Sequence, residues 1–246
     1  DFQGRVVHPQ TWPDDLDLTG KRVVVIGSGA TAATLIPAIA GQCAHVTMLQ
    51  RTPTFFATAQ NADTLADELR KLEIDAHWIH EIMRRKVVKE RASLIRRARQ
   101  HPEALKEQLI EGITPHLPEG FDVDRHFVPP YKPLQQRVAF VPDGDLFKAI
   151  REGKASVVTD NIAAFDETGI QLQSGERIDC DVVVTATGFE LSVMGEIPFT
   201  VDGAAVDFAQ TVSFRGMMFT GVPNLAWVYG YGRYSWTLRV ELVGDF

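Results

Sequence analysis

The sequence predicts an α/β protein centred on a parallel sheet, and three observations carry that expectation. A basic pair and four β-branched residues, Lys21-Arg22-Val23-Val24-Val25-Ile26, run straight into Gly27-Ser28-Gly29-Ala30-Thr31-Ala32. An apolar stretch suited to a helix follows, containing Thr34, Leu35, Ile36, Ala38, Ile39 and Ala40. A second run, Asp181-Val182-Val183-Val184-Thr185-Ala186-Thr187-Gly188-Phe189, is again continuously apolar and ends in small residues and glycine. Unbroken apolar runs bounded by glycine suit strands buried on both faces, as in parallel sheets.

Composition bounds the function. A chain of 246 residues allows one large domain or two small ones, with a sizeable core. Hydrophobic residues make up 45%, yet no apolar run is long enough to cross a bilayer. The formal charge of −7 argues against general nucleic-acid binding. Cys43 and Cys180 stand far apart, with no Cys or His at ligand spacing. Free buried thiols in a reducing, cytoplasmic compartment are expected, with neither a disulfide framework nor a metal site.

The turn after Ile26 has the form G-x-G-x-x-A, and its position between a strand and a helix gives that form a mechanism. Gly27 lets the chain bend off the strand. Gly29 lets the backbone approach a pyrophosphate, and Ala32 is small enough for the helix to lie against the sheet. The helix start then offers unpaired N–H groups and a partial positive charge to phosphates. Residues Gly27, Ser28, Gly29, Ala30, Thr31 and Ala32 are thus candidate dinucleotide contacts. Pro37 should kink the helix, because it removes a backbone donor.

The cofactor is chosen at the end of the next strand. After His45-Val46-Thr47-Met48-Leu49-Gln50 comes Arg51-Thr52-Pro53, where an NAD-binding unit places an acidic residue to hold the ribose 2′-hydroxyl. A guanidinium there suits a 2′-phosphate, which it can grip bidentately. Arg51 and Thr52 therefore predict NADPH over NADH.

The residues ahead of the strand carry a more specific pattern. Phe2-x-Gly4-x-x-x-His8-x-x-x-Trp12-Pro13 resembles the fingerprint of the Baeyer–Villiger monooxygenases, which use FAD and NADPH to insert oxygen beside a carbonyl. Trp12-Pro13 distinguishes it from the related N- and S-oxidising flavin monooxygenases, which usually carry Tyr or Phe there. The resemblance assigns His8 a structural and gating role in the linker between two dinucleotide domains. It also implies that the sequence is the middle portion of a longer protein, whose FAD-binding G-x-G-x-x-G lies upstream. A chain without that loop is expected to be inactive alone.

Further segments fit the same family. Tyr131-Lys132-Pro133-Leu134-Gln135-Gln136-Arg137 is similar to the P-x-Y-N-P-W-D-Q-R stretch of the branch that includes the ethionamide-activating monooxygenase, although Lys132, Leu134 and Gln135 replace Asn, Trp and Asp. Arg137 takes the place of the family's catalytic arginine, a permanent cation that would stabilise a C4a-peroxyflavin and the adduct it forms. Ala186-Thr187-Gly188-Phe189 resembles the A-T-G-F/Y passage from the NADPH domain back to the FAD domain, which makes Thr187 and Gly188 candidate cofactor contacts. The stretch 217–232 is expected as a returning strand of the FAD domain. Ser235-Trp236-Thr237-Leu238 should open a helix capped by Ser235, with Trp236 beside the flavin. The family usually has Thr, Asn and a small residue where Gly232, Arg233 and Tyr234 stand. The implied substrates are a ketone, sulfide or thioamide, together with O2.

The remaining elements follow from local pattern. Residues 61–118 read as a helical insertion. One helix carries Leu65, Leu69, Leu72 and Ile74, a second carries Trp78, Ile82, Val88, Leu94 and Ile95 as its apolar side, and a third begins at His101-Pro102 and includes Leu105, Leu109 and Ile110. The basic run from Arg84 to Arg99 reads as a solvated helix face, and His77-x-x-His80-Glu81 lacks a third metal ligand. Proline density predicts a loop-rich connection over 114–133 that runs over the surface or along a cleft. Ala155–Thr159, Ile162–Phe165 and Ile170–Gln173 read as strands of one small meander. The expected organisation is a linker at 1–20, a Rossmann-like NADPH-binding domain at 21–188 and part of an FAD-binding α/β domain at 189–246.

Overall fold

The computed structural model describes residues 2–190, 192–230 and 235–246, and the chain divides into two compact units, Asp1–Phe189 and Glu190–Phe246. The first unit opens with strands β1 (Arg5–Val7) and β2 (Arg22–Ile26), helix α1 (Ala30–Ile39), and strands β3 (His45–Gln50) and β4 (Phe56–Ala59). Helices α2 (Thr64–Lys71), α3 (Ala76–Gln100), α4 (Pro102–Ile113) and α5 (Val123–Phe127) follow. The unit closes with β5 (Ala139–Pro142), α6 (Asp145–Arg151), β6 (Ala155–Thr159), β7 (Ile162–Phe165), β8 (Gly169–Leu172), β9 (Arg177–Asp179) and β10 (Val182–Thr185).

Five strands form one parallel sheet in the order β1-β10-β2-β3-β6. Val23, Val25, Val46, Met48, Val182 and Val184 point to the face covered by α1 and α6, where they meet Ala32, Ile36, Leu146 and Phe147. Val24, Leu49 and Val183 point to the opposite face, where β8 supplies Ile170 and Leu172 and Cys180 joins the cluster. The unbroken valine runs are therefore explained by cover on both faces. Each buried valine contributes about 1.5 kcal/mol of transfer free energy.

Several expectations are corrected here. β6 joins the main sheet beside β3, which leaves β7, β8 and β9 as a separate antiparallel meander. Residues 5–7, read as linker, form the sheet's edge strand on β10. The proline-rich stretch 114–133 contains α5 and sends the fully buried Phe127 edge-on against Phe56 and Phe147, so it is not a simple surface connection. Pro37 lies in the last turn of α1, which ends two residues later.

The helical insertion contains α2, α3 and α4; α2 ends at Lys71, so Ile74 falls outside it. α3 is one helix of 25 residues capped by Asp75, yet only Ile79 on it is buried. Trp78, Ile82, Val87 and Val88 are exposed. Its basic side chains are partly paired, with Lys86 on Asp63 and Glu90 and Arg85 on Glu81.

The second unit contains two short antiparallel pairs, β11 (Thr200–Val201) with β12 (Ala204–Ala205) and β13 (Ser213–Phe214) with β14 (Met218–Phe219), and helix α7 (Thr237–Gly244). The expected strand over 217–232 is confined to β14 among the described residues. A strand exists only by repeated pairing with a neighbour, and among the described residues 224–230 enter no strand ladder, although the Trp227 N–H donates to the Met217 carbonyl at 2.8 Å. Tyr231, Gly232, Arg233 and Tyr234 lie outside the described residues. Ser235 does not cap α7: Trp236 holds that position without a side-chain bond, and the Ser235 hydroxyl pairs with Thr237 Oγ1 at 2.7 Å. Trp236 is 53% exposed and lies against Tyr229. A Cβ on Gly230 would strike its indole.

Candidate functional site

Parallel strands end on the same side, so the sheet gathers at one edge the segments that follow β1, β2, β3 and β10. From β2 the chain proceeds outward to β3 and β6, then returns to place β10 on the other side of β2. That reversal falls at the carboxyl ends of β2 and β10, the position where open α/β sheets take their ligands.

The glycine turn sits at this reversal. Gly27 has φ +121°, and a Cβ there would come within 2.3 Å of the Ala186 carbonyl oxygen, so the two strand ends meet too closely for any side chain. Gly29 is the N-cap of α1 and makes no side-chain cap bond, so the first-turn N–H groups are open to an external acceptor. Nothing lies within 4 Å of a Cβ built on Gly29. Ala30 is exposed, Thr31 half-buried and Ala32 fully buried against the sheet. A backbone that closes tightly on the protein side and is open on the other fits a pyrophosphate.

Ser28 behaves differently from a phosphate ligand. It is buried, and its hydroxyl lies 2.8 Å from Thr54 Oγ1 and 3.5 Å from the Thr52 carbonyl. Arg51 follows β3 directly, is exposed and has no ion-pair partner among the described residues. Thr52 is half-buried beside it. Gln50, missed by sequence reasoning, is buried just before Arg51. Its amide donates to the His126 carbonyl at 2.7 Å and to Thr159 Oγ1 at 2.9 Å. Burial lowers the pKa of His126, whose Nδ1 meets the same threonine hydroxyl at 2.8 Å. A lone polar residue closing an apolar strand was the available signal.

Thr187 and Gly188 are exposed beyond β10, and Gly188 has φ +106°. Of the fingerprint residues, His8 follows β1 at this carboxyl edge, whereas Phe2 and Gly4 lie at the amino end of β1 and β10. Phe2 packs on the meander side of the sheet, and Trp12 and Leu16 pack on the helix side. A Cβ on Gly4 would collide with the Asp181 carbonyl at 2.5 Å. Pro13 accepts the Leu16 N–H at its carbonyl. His8 accepts the Gln10 N–H at Nδ1, and its ring stands edge-on to Phe189 at 5.8 Å. The structure thus brings the fingerprint histidine against the residue that closes the A-T-G-F stretch.

Arg137 lies two residues before β5, exposed, with no ion-pair partner among the described residues. Its segment is tied to the loop after β3: the Tyr131 hydroxyl donates to the Pro53 carbonyl at 3.1 Å, and Ala139 N–H to the Phe55 carbonyl at 2.8 Å. Among the described residues no group of three or more His, Cys, Asp or Glu could hold a metal, and no helix is long and apolar enough to cross a membrane.

A parallel sheet with a glycine turn at its reversal defines an α/β protein of the Rossmann type. No protein-family model matches the chain. The FAD-containing monooxygenase EthA of Mycolicibacterium smegmatis is 46% identical over 247 residues, which cover 100% of this chain and 50% of that protein. The probable FAD-binding monooxygenase AlmA of Acinetobacter baylyi is 43% identical over 246 residues, covering 100% and 49%. The chain spans about half the length of these curated relatives. Cyclohexanone monooxygenase from Rhodococcus sp. Phi1 bound to NADP+ has a TM-score of 0.68 over 99% of this chain and 55% of that one, at 19% identity, a likeness of fold. Over its whole length the chain is similar to part of these FAD-containing and FAD-binding monooxygenases.

Proposed function

We propose that this chain supplies the NADPH-binding half of a flavin monooxygenase that transfers one oxygen atom from O2 to a ketone, or to the sulfur of a sulfide or thioamide. The observation that carries this reading is the placement of the exposed Arg51 directly after β3, the strand that pairs with the strand leading into the glycine turn. Gly27, Gly29, Ala30 and Thr31 would hold the pyrophosphate through backbone N–H groups. Arg51 and Thr52 would hold the 2′-phosphate, and Thr187, Gly188 and Trp236 are our assignment for flavin contacts. When bound, NADPH and FAD supply the hydride and the oxygen-activating chemistry. Arg137 would supply a permanent positive charge to stabilise negative charge developing on oxygen, an effect that rests on a fixed cation needing no reorganisation. His8, wedged against Phe189, would govern movement at the passage between domains.

Titration of the chain with NADPH and NADH tests the cofactor half of this reading, with much tighter NADPH binding expected. Product analysis on the full-length protein, with a cyclic ketone and a sulfide as substrates, tests the chemistry. Ester from the ketone supports Baeyer–Villiger oxidation, and sulfoxide with no ester supports a purely N- or S-oxidising enzyme. A second reading is a module that only binds NADP(H), for which the open helix start at Gly29 would suffice without a flavin. Addition of FAD to the chain, followed by the absorbance spectrum of the separated protein, decides it.

A further inference from the structure

The loop that carries Arg51 has no regular structure between the end of β3 and the start of β4, yet it is tied down from two directions. Ser28, between the two glycines of the phosphate turn, reaches it with a buried hydroxyl at 2.8 Å from Thr54 Oγ1 and 3.5 Å from the Thr52 carbonyl. From the other side Tyr131 donates to the Pro53 carbonyl at 3.1 Å and packs its ring edge-on against the fully buried Phe55, 5.6 Å between centroids. Three hydroxyls, from the glycine turn, the loop itself and the segment leading to Arg137, thus converge on residues 52–54.

Packing alone does not call for these hydroxyls, since Ala, Val and Phe would fill similar volumes. Removing a hydroxyl from water is costly unless it is hydrogen-bonded, so each one penalises every loop conformation in which its partner moves away. We propose that Thr54 and Tyr131 are positioning residues that set the preference for NADPH over NADH, by holding the loop, and Arg51 on it, in register with the glycine turn. The inference rests on the reading of Arg51 as the grip on the 2′-phosphate. A bidentate guanidinium–phosphate contact requires a fixed geometry, so loosening the loop weakens it. NADH lacks that phosphate and draws on the glycine turn alone, so its binding is indifferent to the loop.

The test titrates NADPH and NADH against the full chain, unaltered and as Thr54→Val, Thr54→Ser and Tyr131→Phe, with thermal melts to confirm folding. Tyr131→Phe keeps the ring on Phe55 and removes only the hydroxyl. Thr54→Val and Tyr131→Phe should each cut the NADPH-to-NADH affinity ratio by about threefold to tenfold, as expected for one neutral hydrogen bond. NADH affinity should hold steady, and Thr54→Ser should keep the original ratio. An unchanged ratio in both variants, or an equal loss for both nucleotides, overturns the positioning role and leaves Arg51 its own. A chain that never preferred NADPH would remove both readings together.

Discussion

Ser28 Oγ and Thr54 Oγ1 stand 2.8 Å apart, so the residue between the two phosphate-turn glycines uses its side chain to join that turn to the loop bearing Arg51. The two halves of the candidate nucleotide site are therefore connected before any ligand arrives. Such preorganisation lowers the ordering cost of binding.

Arg51 is expected to account for most of the selectivity. Hydrogen bonds to a charged group contribute about 1.5–3 kcal/mol, so Arg51→Ala should weaken NADPH binding by about tenfold to a hundredfold. NADH binding should stay within about twofold, since the glycine turn is untouched. Isothermal titration with both nucleotides checks this.

Gly27 and Gly29 should respond in opposite ways to the same substitution. Gly27→Ala puts a methyl 2.3 Å from the Ala186 carbonyl oxygen at a φ of +121°, so a stability loss of at least about 1–3 kcal/mol is expected. Gly29→Ala meets nothing within 4 Å, so the fold should keep its melting temperature while NADPH affinity drops. Melting curves set beside titrations separate the two effects.

Cys180 is 3% exposed, and burial pushes its thiol up from 9.0 to about 11. The raised value means the folded state favours the protonated form. That contribution is complete below about pH 9, the unfolded value, and is lost as pH rises through about 11. Unfolding curves of the chain and of Cys180→Ala should therefore converge in stability between those limits. Near pH 8, a thiol reagent should modify the half-buried Cys43 first and Cys180 only after denaturation.

Arg137 should matter to chemistry more than to folding, because it is exposed and without an ion-pair partner among the described residues. In the full-length protein, Arg137→Ala should lower kcat for ketone oxidation by about a hundredfold or more, with melting temperature unchanged. Ketone-dependent NADPH consumption at the original rate would remove Arg137 from the mechanism.

The sequence by itself determined the buried strand, the glycine turn, the helix after it, the position of Arg51 and the three insertion helices. Those features are written in periods of two and 3.6 residues and in turn chemistry that acts over a few positions. Tertiary structure alone decided that residues 5–7 pair with 182–184 and that β6 belongs to the main sheet. It also decided that Phe127 plunges into the core and that Tyr131 reaches across 78 positions to the loop beside Arg51. It left most of the apolar side of α3 exposed, where periodicity alone pointed to burial. Each of these outcomes depends on which distant surfaces meet, a choice made by the summed burial of many side chains that no local pattern encodes.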